Sequence, residues 1–409
     1  MRKRERLICG LDLGSWKTCI AVVRAYPDGR LEVIAGGRSS SRGLIKSTIV
    51  DLEEAAASIL RAAHDLESGV EAPANWVVAG ISGEHIRCQN FRGAVDVKGR
   101  HHEVTPQDTA NAIRVAQSVA EDPERENLHV LPLEYVLDRH KGIRNPIGMN
   151  GLRLDADVHV ITADSTLTQN LINAANRVQM RIRRVAFLPL AGGEAVLTLE
   201  EKAAGTALID IGGGTTGIAL FIDHSVPFAS VIPVGGTHFT SDLVDGAHIP
   251  PEEAERVKVE YGNVQIRRMS ADEVITSRGF GTRGPQGLPI RTACEILRCR
   301  AIELLRLARR DLVRSGWYTK LVGGVVLTGG GSLLGGMIEL AEEIFELPVR
   351  LGIPQGIDGL TDMLVHPMYS GAIGLAIMDA RDSEARVKQR NWTSFGTSLS
   401  DRILSLFED

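Results

Sequence analysis

Residues 12–23, DLGSWKTCIAVV, align without a gap to residues 210–221, DIGGGTTGIALF, at an offset close to half of the 409-residue chain. Asp12 and Asp210, Gly14 and Gly212, Thr18 and Thr216, Ile20 and Ile218, and Ala21 and Ala219 are the identical pairs. Each copy reads as a strand, an acidic residue, a turn containing glycine, a hydroxyl residue and a second strand, which predicts a β-hairpin. A repeat at this period predicts an α/β fold of two duplicated halves facing one another. The chain also exceeds the length that a single hydrophobic core sustains, so two or more domains are expected.

A hairpin alone does not call for three consecutive glycines, yet Gly212, Gly213 and Gly214 stand in the second copy. Successive N–H groups on a backbone without Cβ atoms can approach a phosphate chain closely. These glycines are therefore expected to hold one end of a polyphosphate, with Thr215 and Thr216 adding hydroxyl donors. Gly14, Ser15, Trp16 and Lys17 would hold the other end, Lys17 neutralising charge. Asp12 and Asp210 precede the two turns and would repel phosphates unless a hard cation lay between them. Mg2+ fits that place, because it keeps several waters and takes one or two carboxylates. A third run, Gly329, Gly330, Gly331 and Ser332, falls between a strand-like and a helix-like segment, where a ligand can come close to the backbone.

Composition narrows the function classes. A formal charge of −5 and a pI near 6.2 leave no basic excess for broad nucleic-acid binding. The five cysteines form no C-x-x-C pair, so reduced thiols are expected, with neither a disulfide framework nor a zinc site. The opening MRKRERLICGL resembles a signal peptide only until Asp12 interrupts it. No run reaches the roughly 18 to 20 apolar residues of a membrane-spanning helix.

Along the chain, strands are expected in LICGLDLG, CIAVVRAY and LEVIAGGRS, and a helix over about 51–66, where Leu52, Ala55, Ala56, Ile59, Leu60 and Ala63 recur at helical spacing. Thr105 followed by Pro106 predicts a helix start. The first half is expected to comprise residues 1–81 and 163–205, with an α+β subdomain inserted over 82–162. The second half is expected over 206–378, with its own inserted region at about 229–310. After Asp379 the composition turns charged, which predicts a linker over 379–391 and a separate tail over 392–409.

With these motifs in place the chain resembles the superfamily of actin, Hsp70 and the sugar kinases, whose two similar halves enclose ATP and magnesium. Within it the chain resembles the FtsA family of bacterial cell-division proteins from residue 7 to about 378. VVAGISGEHI, VTPQDTANAIRVA, NPIGMNGLRLDADVHVITA, PVGGTHFTSDL and AERVKVEYGNV carry that likeness, and the third has no counterpart in actin or the chaperones. The resemblance implies an actin-like fold around a nucleotide cleft, with the two phosphate motifs and the third glycine run around ATP. It places Glu255 and Lys258 at the ribose and Gly235 and Gly236 near the phosphates. In actin-like ATPases a Gln or Glu of the connecting helix orients the attacking water; here Glu194 occupies that region, so slow ATP turnover at most is expected.

The resemblance further implies filaments of the chain itself, a tether between the cytoplasmic membrane and polymers of the tubulin-like FtsZ, and recruitment of other septal division proteins. An actin-like adaptor of pilus assembly or cell shape is the alternative. A small-molecule kinase would need a catalytic Asp motif, which is not found, and a chaperone would need a substrate domain where only some 30 residues remain. In the tail, Trp392, Phe395, Leu399, Ile403, Leu406 and Phe407 fall on one helical face, as an interfacial membrane helix requires. Its polar face sets Arg402 against Asp401, Glu408 and Asp409, where many relatives are basic, so attraction to anionic lipid is expected to be weak.

Overall fold

The computed structural model describes residues 5–66, 77–98, 100–266, 273–279 and 284–383. The tail residues Trp392 to Phe407 and most of the expected linker lie outside the described residues.

The repeat folds twice in the same way. In the first half Arg6–Leu13 pairs antiparallel with Lys17–Ala25, which pairs with Leu31–Ser40. On the other side Arg6–Leu13 runs parallel to Val77–Ile81, and that strand runs parallel to Ile182–Phe187. The second half repeats the order with Ser225–Ile232, Thr216–Ile222, Thr206–Ile211, Gly324–Thr328 and Val349–Leu351. Asp12 lies opposite Cys19 and Gly80, and Asp210 opposite Gly217 and Thr328, so the two acidic residues hold equivalent sheet positions. The central strands are buried on both faces and read as continuous apolar runs, as parallel strands covered by helices do.

Local sequence explains where the covering helices begin. Asp51 caps Leu52–His64 by accepting from the N–H groups of Glu53 and Glu54. Thr105 and Asp108 form a reciprocal capping box at Pro106–Val119. That helix lies on an antiparallel sheet ordered Arg87–Asp96, Arg153–Asp164, Arg125–Leu137 and His140–Ile143, which is inserted between Val77–Ile81 and the helix Ser165–Arg177. The insertion has its own small cores, one around Tyr135, Leu137 and Leu154, the other around Val158 and Val160. No helix among the described residues is long and apolar enough to cross a membrane.

The last described helix, residues 370–383, runs past the composition change at Asp379. Asp379 and Ser383 are buried, and Asp379, Arg381 and Asp382 are ion-paired to Arg183, Glu194 and Arg184. Residues 379–383 thus pack on the first half and are no linker. Their charges pair across the interface, a pattern that a composition count cannot separate from solvation.

Candidate functional site

The two hairpin turns end at one cleft. In each, the first glycine N–H donates to the carbonyl three residues on: Gly14 to Lys17 at 3.0 Å and Gly212 to Thr215 at 2.9 Å. The turns then meet across the cleft with no space for side chains. A Cβ on Gly213 would come within 2.6 Å of the Trp16 Cβ, and one on Gly214 within 2.7 Å of the Ser15 hydroxyl. The carbonyls of Gly212 and Gly213 are taken up by the N–H groups of Gly236 and Thr237, each at 2.8 Å. The N–H groups of Ser15, Trp16, Gly213 and Gly214 donate to no acceptor among the described residues, leaving a pair of free donors on each turn.

Charge is arranged around these donors. Lys17 Nζ donates to Asp12 at 3.0 Å, to the Met368 carbonyl at 2.5 Å and to Cys19 Sγ at 3.3 Å. Burial pulls the Lys17 ammonium down, but the Asp12 carboxylate, and after it Cys19, more than offset this and hold it well above the ordinary lysine range. Across from it, burial and then the Asp12 charge push Asp210 up to about 6. No side chain among the described residues forms an ion pair or hydrogen bond with the Asp210 carboxylate, and the nearby Lys17 charge offsets the upward push only in part. Glu255 and Lys258 form an ion pair at 2.6 Å, and Lys258 also reaches Thr240 Oγ1 and the Gly236 carbonyl. Its Nζ lies 5.5 Å from the centre of the Trp16 ring, which links the second half to the first.

The cavity measures about 290 Å3, near the lower end of the ~300 to 1,000 Å3 of small-ligand sites. It gathers Asp12, Gly14, Ser15, Trp16 and Lys17 from the first turn and Asp210, Gly212, Gly213, Gly214 and Thr215 from the second. Gly236, Glu255, Lys258, Gly329, Gly330 and Gly331 complete the expected set.

Four expected residues are placed elsewhere. Thr216 is fully buried and its hydroxyl donates to the Val234 carbonyl, because strand alternation turns it from the cleft. Ser332 donates to the Gly329 carbonyl and fixes its own turn. Gly235 packs behind the second turn, where a Cβ would stand 2.7 Å from the carbonyl oxygens of Gly212 and Gly213. Glu194 does not line the cleft. On the helix Leu188–Val196 its carboxylate is held by Lys202 at 2.7 Å and by Arg381.

The cleft also contains residues the motifs did not indicate. Ser82 holds in the first half the position that Gly330 holds in the second, so the repeat itself carried a signal for it. Val259, Leu333 and Leu334 adjoin expected residues and add an apolar wall. Met368 comes from the short 3-10 turn Pro367–Tyr369 and Gly371 from the start of the helix that follows it, and no local pattern marks them.

Two α/β halves of identical strand order, closing on a cleft between paired glycine turns, define an actin-like fold. The solved structures agree. A chain of the PilM-PilN type IV pilus biogenesis complex superposes with a TM-score of 0.64 at 17% identity, over 91% of this chain and 98% of that one. MreB5 of Spiroplasma citri bound to ADP superposes with a TM-score of 0.54 at 15% identity, over 94% of this chain and 99% of that one. The family is set by sequence. The profile described as Cell division protein FtsA matches residues 207–374, and that of the SHS2 domain inserted in FTSA matches residues 83–162. The Cell division protein FtsA of Pseudomonas aeruginosa is 38% identical over 90% of this chain and 88% of its own length. That of Escherichia coli strain K12 is 34% identical over 96% of each. The chain belongs to the FtsA family of cell-division proteins.

Proposed function

We propose that this chain binds ATP with Mg2+ in the cleft and assembles with itself on the cytoplasmic face of the cell membrane at the septum. There it tethers FtsZ polymers and helps recruit the other division proteins. The observation that carries the nucleotide reading is one cavity lined by both turns, each with a pair of free N–H groups, and by a Lys17 already fixed by Asp12 and Met368. Donors held in place before the ligand arrives lose little freedom on binding. The ADP in the MreB5 structure supports the same reading. Membership of the FtsA family supports the division role, and the pilus alternative rests on a likeness at 17% identity.

In this reading the glycine turns and Lys17 take the phosphates, Glu255 and Lys258 take the ribose, and Gly329 to Gly331 with Leu334 face the base. Asp12 and Asp210 suit a divalent cation held largely through water. The described residues contain no cluster of three or more His, Cys, Asp or Glu that would form a complete protein cage. Bound Mg2+ would screen the phosphate charge from these two carboxylates. Glu194, the expected water-positioning residue, is engaged by Lys202 and Arg381 outside the cleft, which supports turnover that is slow at most.

The deciding experiment is flotation of purified FtsZ with this protein, ATP and anionic vesicles, beside a full-length Trp392→Glu variant. FtsZ that rises with the intact protein and stays down with the variant supports the tether. FtsZ that stays at the bottom while this protein rises removes the FtsZ part and leaves the membrane part standing.

A further inference from the structure

A short hairpin of the first half reaches across to the second. Leu44–Ile45 pairs antiparallel with Thr48–Ile49, and Lys46 and Ser47 turn between them. Both turn residues have left-handed backbones, at φ 47° and 65°, as a two-residue type I′ turn requires. Neither is the glycine or asparagine that such a turn favours, so surrounding contacts hold it. At the base of the hairpin the Ser41 N–H donates to the Trp16 carbonyl at 3.0 Å, and at its tip the Ser47 N–H donates to Ser15 Oγ at 2.6 Å. The tip also meets the other half, since a Cβ on Gly214 would stand 2.9 Å from the Lys46 Cα.

These contacts order the cleft. Lys258, paired with Glu255, lies over the Trp16 ring, and Gly213 abuts Trp16. One residue further on, Gly214 abuts Ser15 and Lys46. Phosphates that lead away from a ribose at Glu255 and Lys258 thus end at Ser15, Gly214 and the hairpin tip, where Ser47 joins the lining. The chemistry at that end is unfinished. Ser15 Oγ accepts from the Ser47 N–H, and the 3.5 Å to Ser47 Oγ is long for a hydroxyl bond, so the Ser15 proton is left to donate. Lys17 is taken up by Asp12 and Met368, and Lys258 by Glu255. Lys46 makes no ion pair or side-chain hydrogen bond among the described residues, and its flexible stem starts at the Gly214 contact.

We propose that Lys46 is a specificity-determining residue of this cleft: with the Ser15 hydroxyl it takes the terminal phosphate of a nucleoside triphosphate, and so distinguishes ATP from ADP. The inference rests on the nucleotide reading above. A terminal phosphate held between Lys46 and Gly214 also joins the two halves, and a diphosphate leaves that joint open.

The test is competition of MgATP and of MgADP against a fluorescent ATP analogue on the full-length protein, for the wild type, Lys46→Asn, Lys46→Arg and Lys17→Met. Asparagine keeps the left-handed turn and removes the charge. Lys46→Asn is expected to weaken ATP about tenfold, the scale of one charge-assisted contact, and to leave ADP unchanged. Lys46→Arg keeps most of the ATP affinity, and the loss in Lys46→Asn shrinks as salt rises. If Lys46→Asn weakens both nucleotides equally, or neither, while Lys17→Met weakens both, the role of Lys46 is overturned and the nucleotide reading stands. A wild type that binds neither the analogue nor either nucleotide overturns that reading and this inference together.

Discussion

At the scale of single residues, the cleft separates groups that meet a ligand from groups that hold the turns. Lys17 belongs to the first kind, since it lines the cleft with its ammonium held by Asp12 and the Met368 carbonyl. Lys17→Met is expected to weaken binding of a fluorescent ATP analogue at least tenfold in an equilibrium titration, the scale of a charge-assisted contact. Thr216 belongs to the second kind. Thr216→Val removes a buried bond to Val234 and should lower stability by about 1 kcal/mol in urea unfolding while leaving analogue affinity unchanged. Glu194→Gln should likewise leave ATP turnover unchanged and cost about 1 kcal/mol of stability, because Lys202 is buried beside it. The motif marked both threonines and could not separate their roles. Thr18 and Thr216 are equivalent in the repeat and both fully buried, so that identity reflects packing in the duplicated hairpin.

At the scale of elements, the last helix couples most of the first half. Two glycines let it in: a Cβ on Gly10 would stand 1.9 Å from the Ala372 carbonyl, and one on Gly374 1.8 Å from that of Ala191. Gly374→Ala is expected to destabilise the protein by about 1 to 3 kcal/mol and to speed proteolysis after residue 370, read by urea titration and limited digestion. The inserted sheet meets the core through imidazoles. The Phe187 N–H donates to His129 Nε2 at 2.9 Å, and burial, then the Arg184 charge, pull His129 down to about 3; burial takes its neighbour His159 down to about 4. Both rings bind a proton more readily when unfolded. Their contribution to stability is therefore complete above the unfolded value of 6.5 and is lost as pH falls toward the folded values. Between about pH 7 and pH 5 each ring should remove about 2 kcal/mol, and His129→Gln should halve that slope in chemical unfolding.

At the scale of the whole molecule, the cleft joins two halves that touch through Gly213 and Gly214 against Ser15 and Trp16. A ligand bridging both turns stabilises the pair as a unit. Saturating MgATP, at about a hundred times its dissociation constant, should add about 2.7 kcal/mol to the unfolding free energy. Lys17→Met, at the tenfold weakening expected above, should remove about half of that gain at the same concentration, and thermal unfolding with and without nucleotide measures it.

The sequence by itself determined the duplication, the three glycine runs, the helix starts at Asp51 and Thr105 and the turn residues that line the cleft, because these follow from local periodicity, from capping chemistry and from matching two segments of one chain. It did not determine the fate of Glu194, the burial of Asp379 and Ser383, or the entry of Met368 and Gly371 into the cleft. Each of these depends on a partner far along the chain, such as Arg381 for Glu194 or Arg183 for Asp379. A charge paired across an interface and a charge left in water read alike in sequence, and only the packed helices and the parallel register decide between them.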